Sequence, residues 1–85
     1  MSYSLEFRPS ALKALRKLPR HVSDQLHETF EKLKQNPRPP GSLKMKGTDG
    51  FWRVRSGDYR VIYDIRNSCL IVLIVDVGHR SSIYN

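Results

Sequence analysis

The hydrophobic pattern of this chain changes its period at one Pro-rich segment, Pro37-Arg38-Pro39-Pro40-Gly41. Before the segment, apolar residues recur every three or four positions, as they do on one face of a helix. After it, apolar and polar residues alternate, as they do in strands that bury one face. A helical first part followed by an extended second part predicts an α+β domain, with helices packed on one face of a twisted antiparallel sheet.

The part before this segment predicts one strand and a helical hairpin. Alternation over Tyr3–Phe7 is typical of a short strand. Apolar stripes predict one helix from about Pro9 to Leu18 and a second from about His21 to Gln35. Pro19 ends the first helix, and because only a couple of residues separate the two helices, we expect them to lie antiparallel.

The part after the segment predicts three or four antiparallel strands joined in a meander. Turn signals at Asp49-Gly50, Gly57-Asp58 and Asn67-Ser68 separate the alternating runs. The single cysteine, Cys69, cannot form an internal disulfide, and its place in an apolar run predicts a small core residue. The runs that predict strands are Leu43–Gly47, Phe51–Ser56, Tyr59–Ile65 and Cys69–Val77.

The chain is short and strongly basic. Its 85 residues predict one domain, residues 1–85, and 15 Lys and Arg against 8 Asp and Glu give a formal net charge of +7. A positive field of this size favours a nucleic acid, an anionic membrane surface or an acidic protein as partner. The N-terminus lacks the apolar core of a signal peptide, and every apolar run is far shorter than the roughly 18 residues of a membrane span, so we expect a cytoplasmic protein.

Strand alternation places several cations on the sheet face that points away from the helices, which we call the basic face. Since Trp52 and Val54 supply an apolar surface for the helices, Arg53 and Arg55 point to the other side, where Arg60 of the next strand joins them. Any one arginine can be a solvated charge, but like charges on adjacent strands repel, and a phosphate backbone would relieve that repulsion. The residues expected to contact RNA or phosphate here are Lys44, Lys46, Phe51, Arg53, Arg55, Arg60, His79 and Arg80, with Asp64 as the only clear acid.

The segment after the last strand adds groups that can transfer protons. His79, Arg80 and Tyr84 bring an imidazole, a guanidinium and a phenol together with no carboxylate among them. Because the histidines are scattered and no carboxylate pair has the spacing of metal ligands, we expect no metal and no other cofactor. The remaining chemistry is cleavage of RNA by its own 2′-OH, with Tyr84 as base and His79 as a competing base or as the acid. Arg53, Arg60 and Arg80 would hold the phosphate.

Two segments of the chain resemble the RelE/ParE superfamily of toxins. They are Arg53-Val-Arg-Ser-Gly-Asp-Tyr-Arg60-Val-Ile-Tyr63 and Val77-Gly-His-Arg80, the second followed by Ile83-Tyr84. The helical hairpin that ends at Asn36-Pro37 also resembles that of the family, so the resemblance covers nearly the whole chain. It implies an antiparallel sheet with two helices on one side, a toxin of a toxin–antitoxin pair, and an acidic antitoxin protein that neutralises it.

The resemblance also implies an activity. RelE-type members enter the A site of the 70S ribosome and cleave mRNA there without a metal, whereas ParE-type members poison DNA gyrase. Tyr84 favours the RelE type, because ParE-type members usually lack a terminal tyrosine. A basic RNA-binding or ribosome-docking module without chemistry is the third alternative that the residues leave open.

The resemblance assigns roles residue by residue. It implies that Arg60 binds phosphate, and that Arg80 stabilises the phosphate or protonates the leaving group. The resemblance also implies that Tyr84 is the base and that Arg53 occupies the position of a catalytic lysine in RelE. His79 matches a histidine of other branches and is the alternative base.

Overall fold

Two helices and five strands form in the part of the chain that the computed structural model describes, residues 2–47, 50–79 and 81. This order confirms the predicted strand, helical hairpin and later strands. Neither helix of the described part is long and apolar enough to cross a membrane. In chain order the elements are β1 (Ser4–Phe7), α1 (Pro9–Arg16), α2 (Arg20–Gln35), β2 (Leu43–Lys44), β3 (Trp52–Ser56), β4 (Tyr59–Arg66) and β5 (Ile71–His79).

Prolines mark the ends of both helices. Pro9 occupies the first turn of α1, where its missing N–H removes no hydrogen bond. The helix ends at Arg16, two residues before the predicted Leu18, in a tight turn that leads to Pro19. At the other end of the hairpin, Asn36 is already extended ahead of Pro37, as expected for a residue that precedes proline.

The strands form one mixed sheet in the order β1-β5-β4-β3-β2. From β2 to β5 it is the predicted antiparallel meander. At the other edge, β1 pairs with β5 in parallel, a pairing that the sequence did not indicate. The parallel pairing is possible because the helical hairpin carries the chain from β1 at one edge of the sheet to β2 at the other. A connection of this length allows β1 to run in the same direction as β5.

Side chains from both helices meet the inner face of the sheet in one core. Phe30 of α2 packs edge to face on Phe7 of β1, with ring centroids 5.4 Å apart and an interplanar angle of 79°. The helices thus cover one face of the sheet, as predicted, and leave the basic face uncovered. The buried apolar residues of this core are Ala11, Val22, Leu26, Phe30, Leu33, Val54, Val61, Tyr63, Val72, Ile74 and Val77.

The prediction that Cys69 begins the last strand as a core residue was wrong. Cys69 is exposed, and β5 begins at Ile71. The chain turns through Cys69, whose N–H donates to the carbonyl of Arg66 (3.3 Å), and Leu70 takes a left-handed conformation with φ 55°. The apolar run is continuous across this turn, so its composition hides the boundary.

Gly57 fixes the two-residue turn that joins β3 to β4. Its φ is +60°, as in the turns whose twist matches a β-hairpin. A Cβ on Gly57 would come within 2.5 Å of Gln25 Nε2, and that nitrogen donates to Ser56 Oγ (3.2 Å). The turn therefore needs glycine for its backbone conformation, and a side chain there would also displace the Gln25 amide from Ser56.

We expect Gly57→Ala to lower the free energy of unfolding by about 2 kcal/mol. The left-handed backbone accounts for about 1 kcal/mol, and the displaced hydrogen bond between Gln25 and the buried Ser56 for about 1 more. Gly47→Ala is the matched control, because its φ is +73° and nothing lies within 4 Å of an added Cβ. Urea unfolding of both variants measures the difference, and equal losses would show that the contact with Gln25 contributes nothing.

Candidate nucleic-acid interface

Three arginines of the β3–β4 hairpin lie on the basic face, as predicted. Arg55 pairs with Arg60 across the two strands, and Arg53 pairs with Ile62. Their neighbours Val54 and Val61 point into the core, so alternation turns the arginines outward. Arg55 is exposed, whereas Arg53 and Arg60 are half-buried and the Nε atom of Arg60 is shielded from solvent.

The three arginines surround one depression of about 130 Å³. Its other walls come from Gly41, Leu43 and Val54. Guanidinium groups from two strands around one concave surface favour an anion that accepts several charge-assisted hydrogen bonds, such as a phosphate. The depression is therefore the candidate binding site.

The prediction that Lys44 lies beside the arginines on the basic face was wrong. In the register of the edge strand, Leu43 pairs with Arg53, and Lys44 pairs with Trp52 on the other face. The register follows from the connection between β2 and β3, which the alternation of the sequence alone does not determine. Lys44 and Lys46 still border, together with Arg53, a wider depression of about 300 Å³ at this edge of the sheet.

The expected place of His79 on the basic face was also wrong. His79 pairs with Tyr59 on the helix side of the sheet, and the two rings meet edge to face with centroids 5.4 Å apart. The cause is an irregularity in β5, where Ile62 pairs with Asp76 but Tyr63 pairs with Ile74. One extra residue in a strand reverses the face of every residue after it.

The imidazole of His79 has a defined hydrogen-bonding role. Its Nδ1 accepts from the backbone N–H of Ser81 (3.2 Å) and lies 2.8 Å from Ser81 Oγ. Because a backbone N–H can only donate, Nδ1 carries the lone pair, and the neutral ring carries its hydrogen on Nε2. His79 therefore presents a donor at Nε2. Arg80 and Tyr84, the other predicted residues of this segment, lie outside the described residues.

Sequence reasoning missed several charged residues of the basic face, among them Glu6, Arg8 and Asp76. The guanidinium of Arg8 lies over the ring of Phe51, 5.5 Å from its centroid. Since Phe7 enters the core, alternation in β1 could have placed Arg8 on this face. Asp76 pairs with Ile62, a residue of the same face, and accepts the N–H of Val77 (2.8 Å); the irregularity in β5 concealed it. Asp64, the predicted acid, is paired with Arg66 (3.4 Å).

Tyr63, which belongs to the segment that resembles the toxins, is a structural residue of the core. It is fully buried, and its hydroxyl donates to the carbonyl of Pro37 (2.7 Å). Burial raises the pKa of Tyr63 to about 12, although the Ser42 hydroxyl and the charge of Arg38 lower it. The contact anchors the loop that leads from α2 to β2 and so supports one wall of the depression.

We expect the stability that Tyr63 contributes to disappear in alkali. The pKa is 10.0 in the unfolded chain and about 12 in the folded protein, so the contribution is complete below pH 10 and is lost as the pH rises to 12. Between pH 10 and pH 12, the free energy of unfolding of the wild type should therefore fall more than that of Tyr63→Phe. The difference is on the order of 2 kcal/mol.

At neutral pH, Tyr63→Phe should itself cost about 1–2 kcal/mol, because the buried carbonyl of Pro37 loses its donor. Tyr3→Phe is the control, since it removes an exposed hydrogen bond to Asn67 (3.0 Å). Urea unfolding across the pH range measures both effects. Parallel pH profiles for the wild type and Tyr63→Phe would contradict the raised pKa.

Comparison with known proteins gives a family for this fold and site. The family model described as the ParE toxin of the type II toxin–antitoxin system parDE matches residues 5–84. A putative RelE-like toxin protein of Escherichia coli is 33% identical over 89 residues, covering 100% of this chain and 93% of that protein. The mRNA interferase toxin RelE of Escherichia coli strain K12 is 32% identical with the same coverage.

Solved structures agree with these relatives. The archaeal RelE–RelB complex of Pyrococcus horikoshii OT3 matches with a TM-score of 0.82 and 29% identity, over 96% of this chain and 99% of that one. The intact RelBE toxin–antitoxin complex of Escherichia coli matches with a TM-score of 0.80 and 30% identity, over 92% and 96% of the two chains. The protein therefore belongs to the RelE/ParE superfamily of toxins from type II toxin–antitoxin systems.

Proposed function

We propose that this toxin is a ribosome-dependent endoribonuclease that cleaves mRNA in the ribosomal A site and so inhibits translation. The RelE proteins of Escherichia coli strain K12 and Shigella flexneri, each 32% identical to this chain, are named mRNA interferases. The observation that carries the proposal is the set of three arginines, Arg53, Arg55 and Arg60, around one depression on the uncovered face of the sheet.

The proposed reaction uses a nucleophile that the RNA supplies. The 2′-oxygen attacks the adjacent phosphorus while a base takes its proton, and the bond from phosphorus to the 5′-oxygen breaks as an acid protonates that oxygen. The products are a 2′,3′-cyclic phosphate and a 5′-hydroxyl. Arg53 and Arg60 stabilise the charge that builds on the phosphoryl oxygens, which is the part a metal plays in other nucleases.

The proton transfers are assigned to the end of β5 and to the residues that follow it. Tyr84 is the proposed base, because a cationic pocket would favour the ionised form of a phenol. Arg80 is proposed to stabilise the phosphate, and the exposed Arg55 to bind a flanking one. His79, at the end of β5, is proposed as the acid in its doubly protonated form and as the alternative base; in the neutral ring its Nδ1 accepts from Ser81 and its N–H is on Nε2. No cofactor takes part.

An acidic antitoxin is the proposed partner in the cell. Solved relatives are RelE–RelB complexes, among them those of Pyrococcus horikoshii OT3 and Mycobacterium tuberculosis. A net charge of +7 favours an acidic segment that is disordered until it binds, and that covers the basic face or displaces the segment bearing Tyr84. Ribosomes and mRNA as targets place the activity in the cytoplasm.

We expect Arg60→Ala, Arg80→Ala and Tyr84→Ala each to slow mRNA cleavage at least about a hundredfold, because each removes a group that acts on the transition state. The measurement is primer extension on a defined mRNA in a translation extract, with product ends checked for a cyclic phosphate. Lys32→Ala is the control, since it removes an exposed cation from the helix side of the sheet. Adding the acidic antitoxin should stop cleavage.

Other outcomes would support the two alternatives. The matching family model is that of ParE, so gyrase inhibition is the second candidate; it predicts stalled, cleaved DNA and no effect of Tyr84→Phe. Salt-sensitive RNA binding without product would indicate a binding module. Undiminished cleavage in all three alanine variants would contradict the assigned site.

A further inference from the structure

Arg8 reaches across the basic face from the opposite edge of the sheet. Its N–H donates to the carbonyl of Ile74 (2.9 Å), which extends the β1–β5 ladder by one residue and fixes the backbone. Because Phe7 points into the core, the Arg8 side chain leaves on the basic face. Its guanidinium then lies 5.5 Å from the centroid of the Phe51 ring, next to β3.

Phe51 places this guanidinium close to the arginine cluster. Its carbonyl accepts the N–H of Met45 (2.8 Å), so Phe51 continues the β2–β3 ladder. It therefore precedes Arg53 by two positions on one strand, a spacing that puts both side chains on the same face. The stacked guanidinium thus lies near the arginine cluster of the β3–β4 hairpin, at the start of β3.

Stacking on a ring leaves the N–H donors of an arginine able to bind another group. Arg8 is exposed, and among residues 2–47, 50–79 and 81 it has no carboxylate within ion-pair distance. Glu6, two residues before Arg8 on the same face of β1, also forms no ion pair among the described residues. Asp76 accepts the N–H of Val77, and Asp64 pairs with Arg66. A guanidinium held by an aromatic face is oriented for a phosphate at little entropic cost.

We propose that Arg8, held on the ring of Phe51, is a further RNA-binding residue that grips a backbone phosphate beside the one bound by Arg53 and Arg60. The inference rests on the proposed function, because it assigns the same RNA strand to both sites. Arg8 positions the strand and takes no part in the chemical step. Its loss weakens binding and leaves the turnover of bound mRNA unchanged.

The first test measures binding of a short single-stranded RNA with 2′-O-methyl riboses, which cannot be cut, to the purified full chain over a range of salt concentrations. Arg8→Gln should lower affinity roughly fivefold at low salt and reduce the slope of log affinity against log salt by about 0.7, the value for one phosphate contact on a single strand. Arg8→Lys keeps the charge and should restore the slope. Arg16→Gln removes the same charge from the helix side and should keep the wild-type slope.

The role of Phe51 is tested by combining variants. Phe51→Leu should weaken RNA binding, and adding Arg8→Gln to it should cost less affinity than Arg8→Gln costs in the wild type, because the ring no longer holds the guanidinium. A merely structural role for Arg8 would change thermal unfolding and leave the salt slope at its wild-type value. That result would overturn the inference, and so would additive losses of affinity in the double variant. A loss of affinity in Arg16→Gln equal to that in Arg8→Gln, or the absence of salt-dependent RNA binding by the wild type, would overturn it as well.

Cleavage of mRNA on programmed ribosomes separates this inference from the proposed function. Arg8→Gln should raise the half-saturating toxin concentration roughly fivefold and leave the maximal rate within about twofold of the wild type. If the wild type cuts no mRNA, the proposed function fails while the salt slope still decides the role of Arg8. If the wild type cuts and Arg8→Gln matches it in both measurements, only the role of Arg8 fails.

Discussion

The alternation of side chains in the β3–β4 hairpin is the constraint on which the site depends. Val54 and Val61 must enter the core, and this requirement alone turns Arg53, Arg55 and Arg60 to the uncovered face. The register is held by the turn at Gly57, whose left-handed backbone conformation favours glycine. Packing on one side of the sheet thus positions the cations on the other.

The irregularity in β5 is the second determinant of the site. Without it, His79 would share a face with Arg60; with it, Gly78 pairs with Arg60 and His79 lies beside Tyr59. The residue opposite Arg60 therefore has no side chain, while the imidazole lies at the end of β5 on the other face. The extra residue therefore separates the phosphate-binding groups from the proposed proton donor.

Much of this arrangement could be predicted from the sequence, because the signals were local. The change of hydrophobic period gave the helices and the meander, and alternation put three arginines on one face. The faces of Lys44 and His79 could not be predicted, since they depend on the register of a two-residue strand and on an extra residue within an unbroken apolar run. Tyr63 belongs to the segment that resembles the toxin superfamily, yet it lies in the core and its hydroxyl donates to Pro37. That segment therefore contains structural residues as well as candidate binding residues.

Arg55 lies directly opposite Arg60, a pairing that brings two like charges together across the strands. An anion bound in the depression lowers this like-charge repulsion, so a bound polyanion would stabilise the folded toxin by mass action. On the proposed function, an acidic antitoxin that covers the basic face would bind the same guanidinium groups as the RNA backbone and would compete with it for one surface. Neutralisation then requires no conformational change in the sheet, because an antitoxin that binds these charges already excludes the RNA.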